Sequence, residues 1–146
     1  MTYEKSCGAL VVYRNRNDGK LYILMIRHRP GGYRSFPKGH VERGETERKT
    51  ATREVKEETA ADISILPDFR QVVYYTPAPG VEKEVVYFLA TVHSTVIHPR
   101  RGEIAQVEWI PLESAEASLT HDNDKNVLHA AIGKLKFIEK DGISEL

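Results

Sequence analysis

The sequence predicts a mixed α/β (α+β) fold, with helices packed on a mixed β-sheet. Three observations predict it. The segments run strand, strand, helix, several strands, helix, without the strict alternation of a doubly wound parallel sheet. Thr46 to Thr59 contains neither Gly nor Pro and is dominated by helix formers. The strand segments are rich in β-branched and aromatic residues, most clearly Glu84 to Val92.

Ser6 to Tyr13 reads as the first strand, and Asn15 to Gly19 as a turn whose Asp18-Gly19 pair is a hairpin signal. Leu21 to Ile26 is a second, largely buried strand. Arg27 to Gly44 carries Gly31, Gly32, Gly39 and Gly44 with Pro30 and Pro37, and reads as a loop with room for a short strand at Tyr33 to Phe36. Thr46 suits the cap of the helix that follows, and Glu47 suits the positive end of its dipole. Ala51, Val55 and Thr59 recur every four residues and give that helix one core-facing line. Ile63 to Tyr75 holds a strand or two, and Ile104 to Ile110 another. Pro111 opens a short helix through Ala117, and Asp124 to Phe137 closes the chain as a helix. Its Val127, Leu128, Ala131 and Leu135 suit packing on the sheet or on a second subunit, so monomer and homodimer both stay open.

The 146 residues suit one domain, 1–146, with no repeat or linker. The 21 basic and 21 acidic residues cancel, which argues against bulk nucleic-acid binding but leaves room for one local basic pocket. No apolar run approaches the roughly 20 residues that span a bilayer. The polar start and the single cysteine, Cys7, point to a cytoplasmic setting.

Glu54, Glu57 and Glu58 stand at i, i+3 and i+4, within about 100° of arc on one helix face. Like charges at that spacing cost roughly 0.2–0.5 kcal/mol per pair. They also sit in the last turns, where the helix dipole disfavours negative charge. A divalent cation offsets both, and carboxylate oxygens are what magnesium or manganese takes. Taken alone, a glutamate-rich helix is most often a solvated surface laced with pairs such as Arg53 with Glu57.

The wider spacing decides otherwise. Gly39, five residues, Glu45, seven residues, then Arg53-Glu54-Val55-Lys56-Glu57-Glu58-Thr59-Ala60-Ala61 resembles the Nudix box, G-x5-E-x7-R-E-U-x-E-E-x-G-U with U aliphatic. A chance match this good is on the order of one in a few million per window. The resemblance implies the Nudix fold, a mixed β-sheet sandwiched between helices, and hydrolysis of phosphoanhydride bonds in nucleoside diphosphate derivatives with Mg2+ or Mn2+ as cofactor. It implies that the Gly39 carbonyl joins the metal site and that Glu54, Glu57 and Glu58 are metal ligands or water activators. It also implies that Arg53 and Glu45 form a supporting ion pair. A further carboxylate from outside the box is implied, for which Glu103 is the candidate, an ordinary loop glutamate being the alternative. The box glycine is replaced by Ala60. Alanine in a left-handed turn there costs about 1–2 kcal/mol if the turn is kept.

Phe36-Pro37-Lys38-Gly39-His40-Val41-Glu42 resembles a segment of asymmetrical diadenosine tetraphosphate hydrolases. The resemblance implies that Lys38 and His40 lie along a phosphate chain. Arg27 and His28 end a strand near the same site and can reach phosphate, ordinary surface charge explaining them equally well. Tyr74-Tyr75-Thr76-Pro77 and Lys83 to Tyr87 match the same relatives, implying base stacking for Tyr75 or Tyr87 and a phosphate contact for Lys83. An extended chain turns Tyr74 and Tyr75 to opposite faces, so one of them stacks. Alternation also allows Tyr87 a place in the core. His93, His98, His121 and His129 lack metal-ligand spacing and read as structural. Diadenosine tetraphosphate, cut to ATP and AMP, is therefore the expected small-molecule substrate. ADP-ribose or RNA 5′-end pyrophosphate hydrolysis, and a nucleotide-sensing module without catalysis, are the alternatives.

Overall fold

The computed structural model describes residues 1–99 and 102–140. Its eight strands are β1 (Thr2–Arg14), β2 (Leu21–His28), β3 (Arg34–Ser35), β4 (Lys38–His40), β5 (Ile63–Ile65), β6 (Gln71–Ala78), β7 (Val81–Val92) and β8 (Ile104–Pro111). Helix α1 is Glu47–Thr59. A 3-10 turn, Leu112–Ser114, leads into the short α2 (Ala115–Ser118), and α3 (Asp122–Lys140) follows.

β1 is the spine of a mixed sheet. Along one edge it pairs parallel with β7, from Thr2 opposite Val81 to Val12 opposite Thr91. Its other edge is shared between two antiparallel partners. Val12 to Arg14 pair with β2, and Ser6 to Gly8 with β4. β3 joins β2 further along, opposite Ile26 and Arg27, so β3 and β4 fill the fork between β1 and β2. β8 lies along β2, while β5 and β6 divide the outer edge of β7.

The two-residue period of the strands sends alternate side chains to two cores. Ala9, Val11, Leu24 and Ala90 pack with Val55 under α1, and Cys7, Val86 and Phe88 with Ala51. Leu10, Val12, Ile23, Met25, Val85, Tyr87 and Leu89 pack on the other face against Val127, Leu128, Ala131 and Leu135 of α3. The sheet is sandwiched between helices, and the apolar stripe of α3 is used on its own sheet. Among the described residues no helix is long and apolar enough to cross a membrane.

Two expectations change. The segment after β2 is not simply a loop, because Lys38–His40 is a strand with no local pattern of its own. It exists through its pairing to β1. β1 and β7 also run further toward the N-terminal side than composition indicates, since each supplies the other's hydrogen bonds.

Thr46 caps α1, its side chain accepting from the Lys49 N–H at 3.2 Å. Ala60 ends the helix in the left-handed conformation, φ 69°, with its N–H donating to the Lys56 carbonyl. The turn is kept and the alanine is strained. Ala60→Gly is expected to stabilise the protein by about 1 kcal/mol, as strain relief outweighs the added freedom of the unfolded chain. Urea unfolding midpoints of the two proteins check this.

Candidate active site

The helix and strand β4 meet face to face. Cys7 is opposite Gly39 in the β1–β4 register, which turns Gly39 toward α1. A Cβ on Gly39 would overlap the Glu54 carboxylate, so glycine alone lets strand and carboxylate come this close. Gly8 plays the same part behind the strand, where a Cβ would overlap the Pro37 carbonyl and Lys38. Glu54 is 3% exposed and Glu58 5%. Glu58 Oε1 accepts the Lys38 N–H at 2.9 Å. Glu57 is more open, its side chain 38% exposed.

Arg53 organises this carboxylate group. Its Nε and Nη2 donate to the two oxygens of Glu45 at 2.6 and 2.8 Å. Nη1 donates to Glu54 at 2.6 Å and to Glu57 at 3.3 Å, and Nη2 also reaches the His40 carbonyl at 3.0 Å. The Arg53 hydrogen bonds, then the Glu42 N–H, hold the Glu45 carboxyl down at about 2. The hydrogen bond to Glu45 correspondingly raises the Arg53 pKa. Arg53 is thus one clamp between the loop before α1 and the helix.

Glu54, Glu57, Glu58 and the Gly39 carbonyl offer only hard oxygen donors, the set suited to magnesium or manganese. The close approach at Gly39 fits such a shared site. As the side chains stand, Arg53 bonds both Glu54 and Glu57, and among the described residues no three His, Cys, Asp or Glu side chains gather around one point.

On the other face of β4 lies a cleft of about 460 Å³. Alternation sends Lys38 to this side, and Lys38, Tyr75 and Tyr87 line the cleft. Burial, then the neighbouring charge of Lys83, lowers the Lys38 pKa. Tyr75 lies opposite Lys83 in the β6–β7 register. Tyr87 is 1% exposed, with its ring edge-on to Phe36 at 5.9 Å. Its hydroxyl donates a long hydrogen bond, 3.4 Å, to Asp124 Oδ1. Tyr87 thus forms part of the cleft floor and packs in the core.

The remaining expected residues surround these. His40 is exposed and lies 3.2 Å from Glu4. Arg27 is partly buried opposite Arg34, its Nε without a hydrogen bond among the described residues. Glu103 is exposed just before β8, and its carbonyl accepts the Arg29 N–H at 2.7 Å. The charges of Lys38 and Glu103 both act on His28, whose pKa falls to about 4, chiefly through burial. Of the segment preceding Glu103, Arg100 and Arg101 lie outside the described residues.

The cleft residues that sequence reasoning missed include Tyr33, Ser35, His121 and Asp124. His121, expected to be structural, lines the cleft edge-on to Tyr33 at 5.5 Å. Tyr33 itself stacks on His28 at 4.1 Å. No local spacing links these residues. They meet because the turn after β2 and the start of α3 converge on β6 and β7.

Residues 5–131 match the sequence profile of the NUDIX domain. A putative mutator protein, MutT4, of Mycobacterium tuberculosis is 31% identical across 99% of this chain, which spans 60% of that relative's length. The asymmetrical bis(5′-nucleosyl)-tetraphosphatase of Mus musculus is 31% identical over 76% of this chain and 81% of its own. Among solved structures, a binary complex of the Caenorhabditis elegans Ap4A hydrolase superposes with a TM-score of 0.81 at 27% identity, covering 91% of this chain and 98% of that one. The match across most of the chain, with the box residues brought together where strand β4 and its following loop meet α1, shows that this chain belongs to the Nudix family.

Proposed function

We propose that the chain is a metal-dependent hydrolase of dinucleoside polyphosphates that cuts diadenosine tetraphosphate to ATP and AMP. The observation that carries this reading is strand β4. Its three residues present Gly39 to the carboxylates of α1 and Lys38 to a nucleotide-sized cleft on the opposite face. A phosphate chain passing that strand meets both. The mouse and nematode relatives, named for the asymmetrical tetraphosphatase activity, support the substrate class.

Glu54, Glu57, Glu58 and the Gly39 carbonyl would hold Mg2+ or Mn2+, with Glu103 as the carboxylate from outside the helix. When bound, the metal supplies neutralisation of phosphate oxygens and a more acidic water. Arg53 keeps Glu54 and Glu57 oriented and ties them to Glu45. Glu57, the most open of the three, is placed to take a proton from the attacking water. Lys38 and Lys83 attract the phosphates, with His40 and Arg27 at the margins. Tyr75 offers its ring to a base, an interaction of about 1–3 kcal/mol, and Tyr87 supports it from the floor of the cleft.

Product analysis tests the proposal. The protein is incubated with magnesium and, separately, diadenosine tetraphosphate, ADP-ribose and triphosphate-ended RNA, and products are resolved by ion exchange. ATP plus AMP, formed much faster than any other product, is the expected result. Preferential formation of AMP and ribose phosphate, or release of pyrophosphate from RNA, would overturn the substrate assignment within the same family.

A further inference from the structure

His28 ends β2 beside the cleft without lining it. Tyr33 does line it, and the two rings stack with centroids 4.1 Å apart and planes 13° from parallel. His28 is thus the layer behind one cleft wall. The imidazole is itself held. Its Nε2 lies 2.7 Å from the hydroxyl of Ser35, a buried residue, and that hydroxyl donates onward to the Phe36 carbonyl at 3.3 Å. A hydroxyl has one proton to give, so His28 Nε2–H is the donor in the shorter bond. Phe36 is buried against Tyr87, so the line of contacts runs from the core to the cleft wall. Burial, above all, brings the His28 pKa down to about 4, and the ring stands neutral at pH 7.

Tyr33 needs such a support. It is 39% exposed and follows Gly31 and Gly32, whose φ values are 97° and 69°. Backbone bonds close this turn, from the His28 N–H to the Tyr33 carbonyl at 2.9 Å and from the Gly32 N–H to the His28 carbonyl at 3.0 Å. They fix the main chain and leave the direction of the ring to side-chain contacts. His121 meets that ring only edge-on and is itself exposed. An unsupported tyrosine at the mouth of a cleft samples several rotamers, and a ligand that orders it loses affinity. Stacked on a fixed imidazole, the ring presents its flat face before a nucleotide arrives.

We propose that His28 is a positioning residue that acts through Tyr33, holding its ring as a preformed wall for the bound nucleotide. The inference rests on the nucleotide-hydrolase reading of the cleft and adds the residue that sets one of its walls. His28 tunes affinity and leaves the chemistry at α1 alone.

Steady-state kinetics on diadenosine tetraphosphate, and calorimetric titration of the full-length protein with ADP in the absence of added metal, test it together. His28→Ala is expected to raise KM and weaken ADP binding about 3- to 10-fold, the worth of one aromatic pair, with kcat within about twofold of the unaltered protein. His28→Phe keeps a flat ring behind Tyr33 and should retain most of the affinity, although the bond to Ser35 is lost. Tyr33→Leu should weaken ADP binding at least as much as His28→Ala, and the two together no more than Tyr33→Leu alone. That coupling separates positioning from a general loss of structure, which would weaken both backgrounds alike. His93→Ala alters an exposed histidine bonded to Ser64 and should change nothing. Unchanged KM and ADP affinity in His28→Ala, a fall in kcat without a change in KM, equal losses in the two backgrounds, or no ADP binding by the unaltered protein would overturn the inference. Absence of hydrolysis, with ADP binding that still depends on His28 through Tyr33, would sink the hydrolase reading and leave this one standing. Hydrolysis with a KM indifferent to His28 would do the reverse.

Discussion

Glu57→Gln is expected to lower kcat on the order of 10³-fold or more, a loss of roughly 4 kcal/mol of transition-state stabilisation. The substitution keeps the shape of the side chain and an oxygen for Arg53, but removes the negative charge and the basic site. Glu57 is more than one-third exposed, whereas Glu54 and Glu58 are buried. Its neutral replacement should therefore leave thermal stability nearly unchanged. The separation between kcat and Tm is the informative result. Steady-state kinetics with magnesium, alongside a melting curve, gives both numbers. Wild-type turnover in this variant would mean that the glutamate face of α1 is not where the chemistry occurs.

Gly39→Ala should cost about 100-fold in kcat, with a stability loss of roughly 1–3 kcal/mol typical of overpacking. A Cβ at this position would occupy space taken by the Glu54 carboxylate. The carboxylate is the mobile partner, because β4 is held by three register pairs to β1 and by the Glu58 bond to the Lys38 N–H. Glu54 must then swing away and leave Arg53 Nη1. Activity falls because a proposed metal ligand has left its place, and stability falls less because a side chain can move where a backbone cannot. Gly133→Ala is the control. Its Cβ meets nothing within 4 Å on α3, so it should stabilise the helix by up to about 1 kcal/mol without affecting turnover. Circular dichroism melts and initial rates for the two variants make the comparison.

The carboxylate half of the site was legible because its information is local. Thr46, the Ala51–Val55–Thr59 line, and the Gly39, Glu45, Arg53 and glutamate spacing all lie within one loop and one helix. The structure retains each of these, including the left-handed turn that Ala60 holds against its preference. The cleft half was legible only in Lys38, Tyr75 and Tyr87, whose placement follows strand alternation. Even there, alternation left two faces open to Tyr87, and the choice depends on which side of β7 receives α3. Asp124, His121 and Tyr33 gave no signal, because their meeting depends on pairings between distant segments. β4 was missed for the same reason, since its hydrogen bonds come from β1.

The parallel pairing of β1 with β7 also has a consequence for the nascent chain. On that edge the first strand finds no partner until residues 81–91 have left the ribosome. At about 5–20 residues per second, the Cys7-to-Val12 segment then waits for several seconds with its edge unmatched. The segment is fully buried once folded and carries no charge between Ser6 and Tyr13. Its uncharged, apolar stretch is an aggregation hazard during synthesis, and holdase chaperones that cover extended apolar segments would act on it.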